Sequence, residues 1–387
     1  MANFDQAIDR FDTHSYKWGI AKDELPMWVA DMDFQTAPAV IDAINQRAAH
    51  GVFGYNTVPP TFNRAVANWW KRRHGVMLQE EWIMYCTGVV PAISSIVRKL
   101  TKVGDQVLIF SPVYNIFYNS IVNNHRIVLS SDLQYEAGQY AIDFADLENK
   151  LALENTSLLI FCNPHNPIGK IWEPAVLEKV GQLCLKHGVV IISDEIHCDL
   201  TFPGKQYHPF YAASAEVTEN VIMCCAPTKT FNIAGLQTAA IVVKNEKLRK
   251  LVSRGINTDE VAEPNSFAIQ AAIAAFNEGE TWLTELNHYL YENRQSVEAF
   301  VTEQLPEIKV VSSEATYLAW LDCSQLTDNA EELCQFIRKK TGLYVTAGAI
   351  FGANSQAFIR LNYATTKEKV KDGLDRLLHG VQGFKSQ

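Results

Sequence analysis

VVIISDEIHCDL, residues 189–200, is an unbroken apolar run that stops at Asp194 and passes into acidic and polar residues. A run of this length, rich in β-branched residues and lacking polar alternation, predicts a strand buried on both faces, as in a parallel sheet covered by helices. Similar runs follow outward along the chain at 107–110, 126–130, 158–163, 221–226 and 238–243. Between them lie amphipathic stretches such as 174–187, where Pro174 suits a first helical turn. The expected fold class is therefore α/β, a mostly parallel sheet between helices. From Asn265 the spacing becomes helical, with Ser266 a candidate cap and a long helix over 281–304. Strands at 308–312, 317–321 and 358–362 then alternate with helices at 329–340 and 366–378, predicting a smaller α/β unit that the N-terminal segment joins.

The 387 residues, 48% hydrophobic and 20% charged, suffice for a large core in two domains. A formal net charge of −9, from 34 basic and 43 acidic residues, gives no basic groove for nucleic acid. The N-terminal MANFDQAIDRFDTHSYKWG has no apolar signal core, and no later run approaches the roughly 20 apolar residues of a membrane span, so a cytoplasmic protein is expected. Eight cysteines, at 86, 162, 184, 198, 224, 225, 323 and 334, show no zinc-like spacing and read as reduced, mostly buried thiols. No metal is expected, since His197 and Cys198 are sequence neighbours that do not face one point on a helix.

The second informative stretch is VIMCCAPTKTFNIAGL (221–236), which sets Lys229 just beyond a strand and 35 residues (229 − 194) after Asp194. Only lysine offers an amine that can bond a carbonyl, be displaced by a substrate amine, and then move a proton. A lysine in Thr-Lys-Thr is ordinarily a solvated surface charge, so its companions must carry the argument. Asp194, at the carboxyl end of its strand, could pair with a protonated pyridine nitrogen or simply cap the next turn. His197, three residues on, would share its face if a helix follows, and could equally be a packed core histidine.

In CNPHNPIGK (162–170), two Asn-Pro steps force a turn that hangs Asn166 over the sheet edge, where its amide could donate to a phenolate; an ordinary turn is the alternative. In YCTGVVPAIS (85–94), Gly88 and Val89 precede a helix whose free amides suit a phosphate, with Thr228 a second donor or a turn cap. Tyr114 in SPVYNIFY (111–118) is placed to stack on a ring or to pack. Arg360 in AFIRLNYA (357–364) needs an anion inside an apolar strand, either a substrate carboxylate or an internal acid. Together these residues predict a site for pyridoxal 5′-phosphate (PLP), held by Lys229 as a Schiff base.

In order, Gly88, Tyr114, Asn166, Asp194, Lys229 and Arg360 resemble the functional series of fold-type I, aspartate-aminotransferase-like PLP enzymes across nearly the whole chain. Within that group LPMWVADMDF (25–34), VFGYN (52–56), CNPHNPIGK, SDEIHCDL (193–200) and EATYLAWLD (314–322) are similar to the MalY/PatB branch of cystathionine β-lyases, or C–S lyases. The resemblance implies a large cofactor domain over 48–285 and a small domain from 1–47 and 286–387. It implies a homodimer in which Tyr55 reaches the neighbouring subunit's phosphate, with Val29 and Ala30 on the substrate side. One departure stands out: Gln237 occupies the position eight residues after the lysine (237 − 229) where aminotransferases usually have a phosphate-binding arginine, and Ala226 replaces a hydroxyl residue before Pro227.

The implied reaction is α,β-elimination from L-cystathionine, and from cysteine-type substrates, to thiol, pyruvate and ammonia, with Lys229, Asp194 and Tyr114 as catalytic residues. An aminotransferase is the nearest alternative. A regulatory or binding protein on the same scaffold is the alternative of a different class.

Overall fold

A computed structural model describes residues 2–386 of the chain. The apolar runs form a seven-stranded sheet in the order Ile83–Cys86, Ala239–Val243, Val221–Cys225, Val190–Asp194, Thr156–Cys162, Gln106–Ile109, Ile127–Ser130. Every neighbouring pair is parallel except those made by Ala239–Val243, which runs against both its partners. Because side chains alternate along a strand, Ile192, Ile222 and Ile241 enter the core beneath one face, while Ile191, Met223 and Val242 enter the larger core on the other. Each such side chain, shut off from water, stabilises the fold by roughly 1.5–3 kcal/mol.

The sheet's registers determine where chemistry can gather. Asp194 lies opposite Cys162 on one side and Cys224 on the other. Cys225 faces Ala240, whose neighbour Ala239 faces Cys86. The carboxyl ends of four strands therefore finish level, and the loops that leave them share one edge, as expected of a ligand-binding edge in an open α/β sheet.

A second sheet has the order Lys309–Val310, Leu318–Asp322, Phe358–Asn362, Thr346–Ala347, all antiparallel, with Trp320 opposite Arg360. Leu25–Pro26 pairs in parallel with Leu343–Tyr344, so the N-terminal segment joins the C-terminal part of the chain. The 25-residue helix Glu280–Gln304 crosses the expected domain division at 285/286 without a break. The loop at Gly352 is tied back to the large sheet. This residue has φ +148°, and a Cβ there would meet Ser111 Oγ at 1.8 Å, so only glycine permits the approach.

Two local expectations need correction. Ser266 does not cap Ala268–Glu278: Phe267 precedes that helix without a side-chain cap, and it is the Asn265 Oδ1 that accepts from the N–H groups of Phe267 and Ala268 at 3.0 Å each. The stretch after Asp194 is a turn and not a helix, because Asp194 Oδ1 accepts the Ile196 N–H at 3.1 Å and closes the chain locally. All eight cysteines are free and buried. Among the described residues, no helix is long and apolar enough to cross a membrane.

Candidate active site

Lys229 sits in the single turn Pro227–Thr230 that follows its strand, where Pro227 opens the turn and aims the lysine along the carboxyl edge. Its Nζ donates to the Ala30 carbonyl at 2.5 Å. Burial disfavours the ammonium and, with Arg360 adding repulsion, lowers the pKa to about 8 against the opposing pull of Asp31 and Asp194. A lysine so placed gives up its proton more readily than an ordinary one.

Asp194, 4% exposed, carries the opposite anomaly. Burial raises its carboxyl to about 7, and the Ile196 N–H and Lys229 only partly offset that. No cation lies within salt-bridge distance of it among the described residues. The capping role foreseen for Asp194 is thus present, through Ile196, and its charge is still left without a partner. His197 is buried as well, with its pKa pushed down to about 3 by burial and by Lys229 and Arg360, so it is a neutral imidazole. Its Nδ1 has no hydrogen-bond partner, and it makes no hydrogen bond to Asp194 among the described residues.

Arg360 extends from Phe358–Asn362 into the same space, 6% exposed. Nη1 donates to Asn166 Oδ1 at 3.2 Å and Nη2 to the Trp28 carbonyl at 2.9 Å, while Nε has no partner and the guanidinium rests 4.7 Å from the centre of the Phe351 ring. Burial lowers its pKa to about 10. No internal acid pairs with it among the described residues, which leaves a buried cation with room for an anion. Asn166 is therefore brought to Arg360, and its amide nitrogen remains a free donor. Tyr114 lies close enough to Arg360, Asp194 and Cys162 for all three to act on its phenol, whose pKa burial raises most.

Gly88 is the N-cap of Val89–Leu100 and has no side chain to satisfy the free N–H groups of that first turn. Thr228 is 8% exposed beside Lys229. Gln237 adopts a left-handed backbone and offers its carbonyl to Tyr85 at 2.8 Å. Tyr55 stands apart from the other site residues, fully exposed on the loop before Pro60–His74.

Sequence reasoning missed the residues that hold the Val29–Ala30 loop in place. Tyr317 donates to the Ala30 carbonyl at 3.0 Å, and Asn362, two residues along the strand from Arg360, donates to the carbonyls of Val29 at 2.5 Å and Asp31 at 2.7 Å. Arg10 and Lys17 fasten the loop further through Asp31 and Asp33. His165 Nε2 donates to the Pro112 carbonyl at 2.8 Å, joining the Asn166 loop to the Tyr114 loop. The available signals were alternation, which puts 360 and 362 on one face, and Tyr317 inside EATYLAWLD.

A partnerless acid, an available lysine, an unpaired arginine and an open helix N-terminus fit the pyridinium, aldehyde, substrate carboxylate and phosphate that a PLP site must serve. The sheet and this site together define a fold-type I PLP-dependent enzyme. The family model for aminotransferase class I and II matches residues 23–377, and the chain belongs to that family. It is 41% identical to cystathionine beta-lyase PatB of Bacillus subtilis over 97% of this chain and 98% of that protein. It is 31% identical to protein MalY of Escherichia coli over 100% of both. A PLP-bound C–S lyase from Staphylococcus hominis superimposes with a TM-score of 0.91 at 33% identity, covering 98% of each chain. Within its family the chain is of the MalY/PatB C–S lyase type, and its cofactor is PLP.

Proposed function

We propose that this enzyme cleaves the Cβ–S bond of L-cystathionine, and of cysteine-type amino acids, by α,β-elimination to a thiol, pyruvate and ammonia. The observation that carries this reading is the meeting of Lys229, Asp194 and Arg360, three buried charged groups with no ion pair among themselves. When bound, PLP supplies an electrophilic aldehyde and a ring that accepts the electron pair released at Cα.

In this proposal Arg360 grips the substrate carboxylate, with Asn166 and the Trp28 carbonyl fixing the plane of its guanidinium. Lys229, once free, takes the Cα proton; its pKa, lowered from 10.5 to about 8, leaves a usable fraction of the amine unprotonated near physiological pH. Asp194 pairs with the pyridine nitrogen and keeps it protonated. Gly88, Val89 and Thr228 hold the phosphate. Tyr114 stacks on the ring and, with its phenol kept protonated, can hand a proton to the departing sulfur. Val29 and Ala30 line the substrate side.

A homodimer is part of the reading, with Tyr55 contributed across the interface; its full exposure beside exposed Val52 and Phe53 supports this. The eight free, buried cysteines support a cytoplasmic location. The domain division at 47/48 and 285/286 stands as part of the same proposal.

The test is purified wild type and Lys229→Ala with L-cystathionine, following pyruvate, homocysteine and cofactor absorbance. Pyruvate and thiol in equal amounts, formed without an added 2-oxo acid and lost in the variant, are expected. Keto-acid formation that depends on an added 2-oxo acid would make the enzyme an aminotransferase, and a cofactor-loaded but silent protein would point to a regulatory role.

A further inference from the structure

Asp199 draws four polar side chains onto one carboxylate in the interior. It is 2% exposed. Its Oδ1 accepts from His74 Nε2 at 2.9 Å and from Trp69 Nε1 at 3.1 Å, and Arg73 Nε lies 3.4 Å away. Its Oδ2 accepts from Thr230 Oγ1 at 3.0 Å and from Trp69 Nε1 at 3.2 Å. Its own carbonyl accepts from Asn287 Nδ2 at 2.8 Å, on the helix Glu280–Gln304. Atoms of His74, Cys198 and Asp199 that could ligate a metal lie within 4.8 Å of one another. Those carboxylate oxygens are already taken by N–H and O–H donors, and a cation would have to displace them, so the cluster reads as a hydrogen-bonded anchor.

What the anchor holds decides its role. Thr230 is the last residue of the turn Pro227–Thr230 and the direct neighbour of Lys229. Asp199 lies five residues (199 − 194) after Asp194, in the same short connection. One carboxylate thus ties the segment that delivers Asp194 to the turn that delivers Lys229, and fixes both against the helices Pro60–His74 and Glu280–Gln304. We propose that Asp199, acting through the Thr230 hydroxyl, is the positioning residue that sets Lys229 relative to Asp194 and the Ala30 carbonyl. The proposal rests on the reading of Lys229 as the cofactor-bearing lysine.

The turn has few other restraints. It spans four residues, has no side-chain cap, and its neighbouring backbone bonds are Phe231 N to the Pro227 carbonyl at 2.9 Å and Ile233 N to the Thr228 carbonyl at 3.0 Å. Besides the Lys229 Nζ bond to the Ala30 carbonyl, Thr230 Oγ1 is the side-chain tie that holds this turn to the protein interior, and losing it would loosen the backbone that carries Lys229. The charged groups acting on the lysine are Asp31, Asp194 and Arg360; those acting on Asp199 are His74 and Arg73.

The test compares wild type, Thr230→Val and Thr230→Ser. Steady-state kcat and KM are measured on the loaded enzyme, and the pH midpoint of Lys229 acetylation by acetic anhydride on the full-length cofactor-free chain. Thr230→Val is expected to lower kcat about tenfold with KM unchanged, since displacement of a catalytic group is felt mainly in the chemical step. It is also expected to raise the labelling midpoint from about 8 toward the ordinary lysine value of 10.5. Thr230→Ser, which keeps the hydroxyl, should restore both.

If kcat and the midpoint both stay at wild type in Thr230→Val, or only one of them moves, or serine fails to rescue, the carboxylate is purely structural and the proposal is overturned. Asp199→Asn is read against the same criteria should Thr230→Val not fold. Failure of the underlying reading is separate: Lys229→Ala would then keep the cofactor's imine absorbance.

Discussion

Asp194 and Asp199 leave the same strand within one short connection, and both are nearly closed off from solvent, at 4% and 2% exposure. Burial pushes on both carboxyls in the same direction. In Asp194 it wins, raising the pKa to about 7. In Asp199 the hydrogen bond and charge of His74, then Arg73 and Thr230, outweigh it and hold the carboxyl below its ordinary value. The contrast separates two uses of a buried charge. Asp199 has its partners inside the chain, whereas Asp194 is left without one, as the proposed pairing with a cationic ligand requires.

The largest effect that would break the comparison is Asp199→Ala. It strands Arg73, His74, Trp69 and Thr230 without their acceptor, and a loss of about 3–5 kcal/mol of folding stability is expected in urea unfolding. A loss under about 1 kcal/mol would mean that those donors find other acceptors. Asp199 also has a pH signature: with its folded pKa lowered from 3.8, its stabilisation is present above that value and fades as pH falls below it.

Asp194→Asn should have the opposite sign in the cofactor-free chain. A carboxyl raised from 3.8 to about 7 binds more protons folded than unfolded between those values, so it becomes a growing burden as pH rises through that window. The substitution should therefore stabilise the chain at pH 8, by on the order of 2–4 kcal/mol, and leave it unchanged near pH 4. In the loaded enzyme it should instead weaken the cofactor and slow turnover. Destabilisation of the cofactor-free chain at pH 8 would show that Asp194 has an internal partner after all.

Arg360→Lys tests the other incomplete charge. The rigid fork held by Asn166 and the Trp28 carbonyl is replaced by a point charge, and kcat/KM for L-cystathionine should fall about 10–100-fold with little change in stability. An unchanged kcat/KM would remove the substrate carboxylate from Arg360. The smallest effect is expected of Tyr317→Phe, which deletes the hydroxyl on the Ala30 carbonyl. A loss of about 1 kcal/mol is expected in the denaturation midpoint, together with a several-fold rise in KM.

The two aspartates also show how far the sequence could be read. Both stand in SDEIHCDL, and Asp194 was recognisable because it closes an apolar run. Asp199 was not, since its partners lie 130 residues away at Trp69, 125 at His74 and 31 at Thr230. Likewise Arg360 could be predicted to need an anion, but an internal acid was an equal alternative until the strand pairing placed it beside Asn166 and Phe351. Ala30 acts through its backbone carbonyl, which no side-chain pattern reveals.

The sequence alone determined six strands of the large sheet, the helices at 174–187, 281–304, 329–340 and 366–378, the lysine beyond one strand and the aspartate at the end of another, because those follow from local periodicity and from which side chains can perform a step. Tertiary structure decided which buried charges are satisfied. It set the turn, not helix, after Asp194 and made Asn265, not Ser266, the acceptor for the Phe267 and Ala268 N–H groups. It also chose the carbonyls that meet Lys229 and Arg360. The physical reason is that an ion's environment is the sum of contacts from segments distant in the chain, and pairing register and packing, not neighbouring residues, bring those segments together.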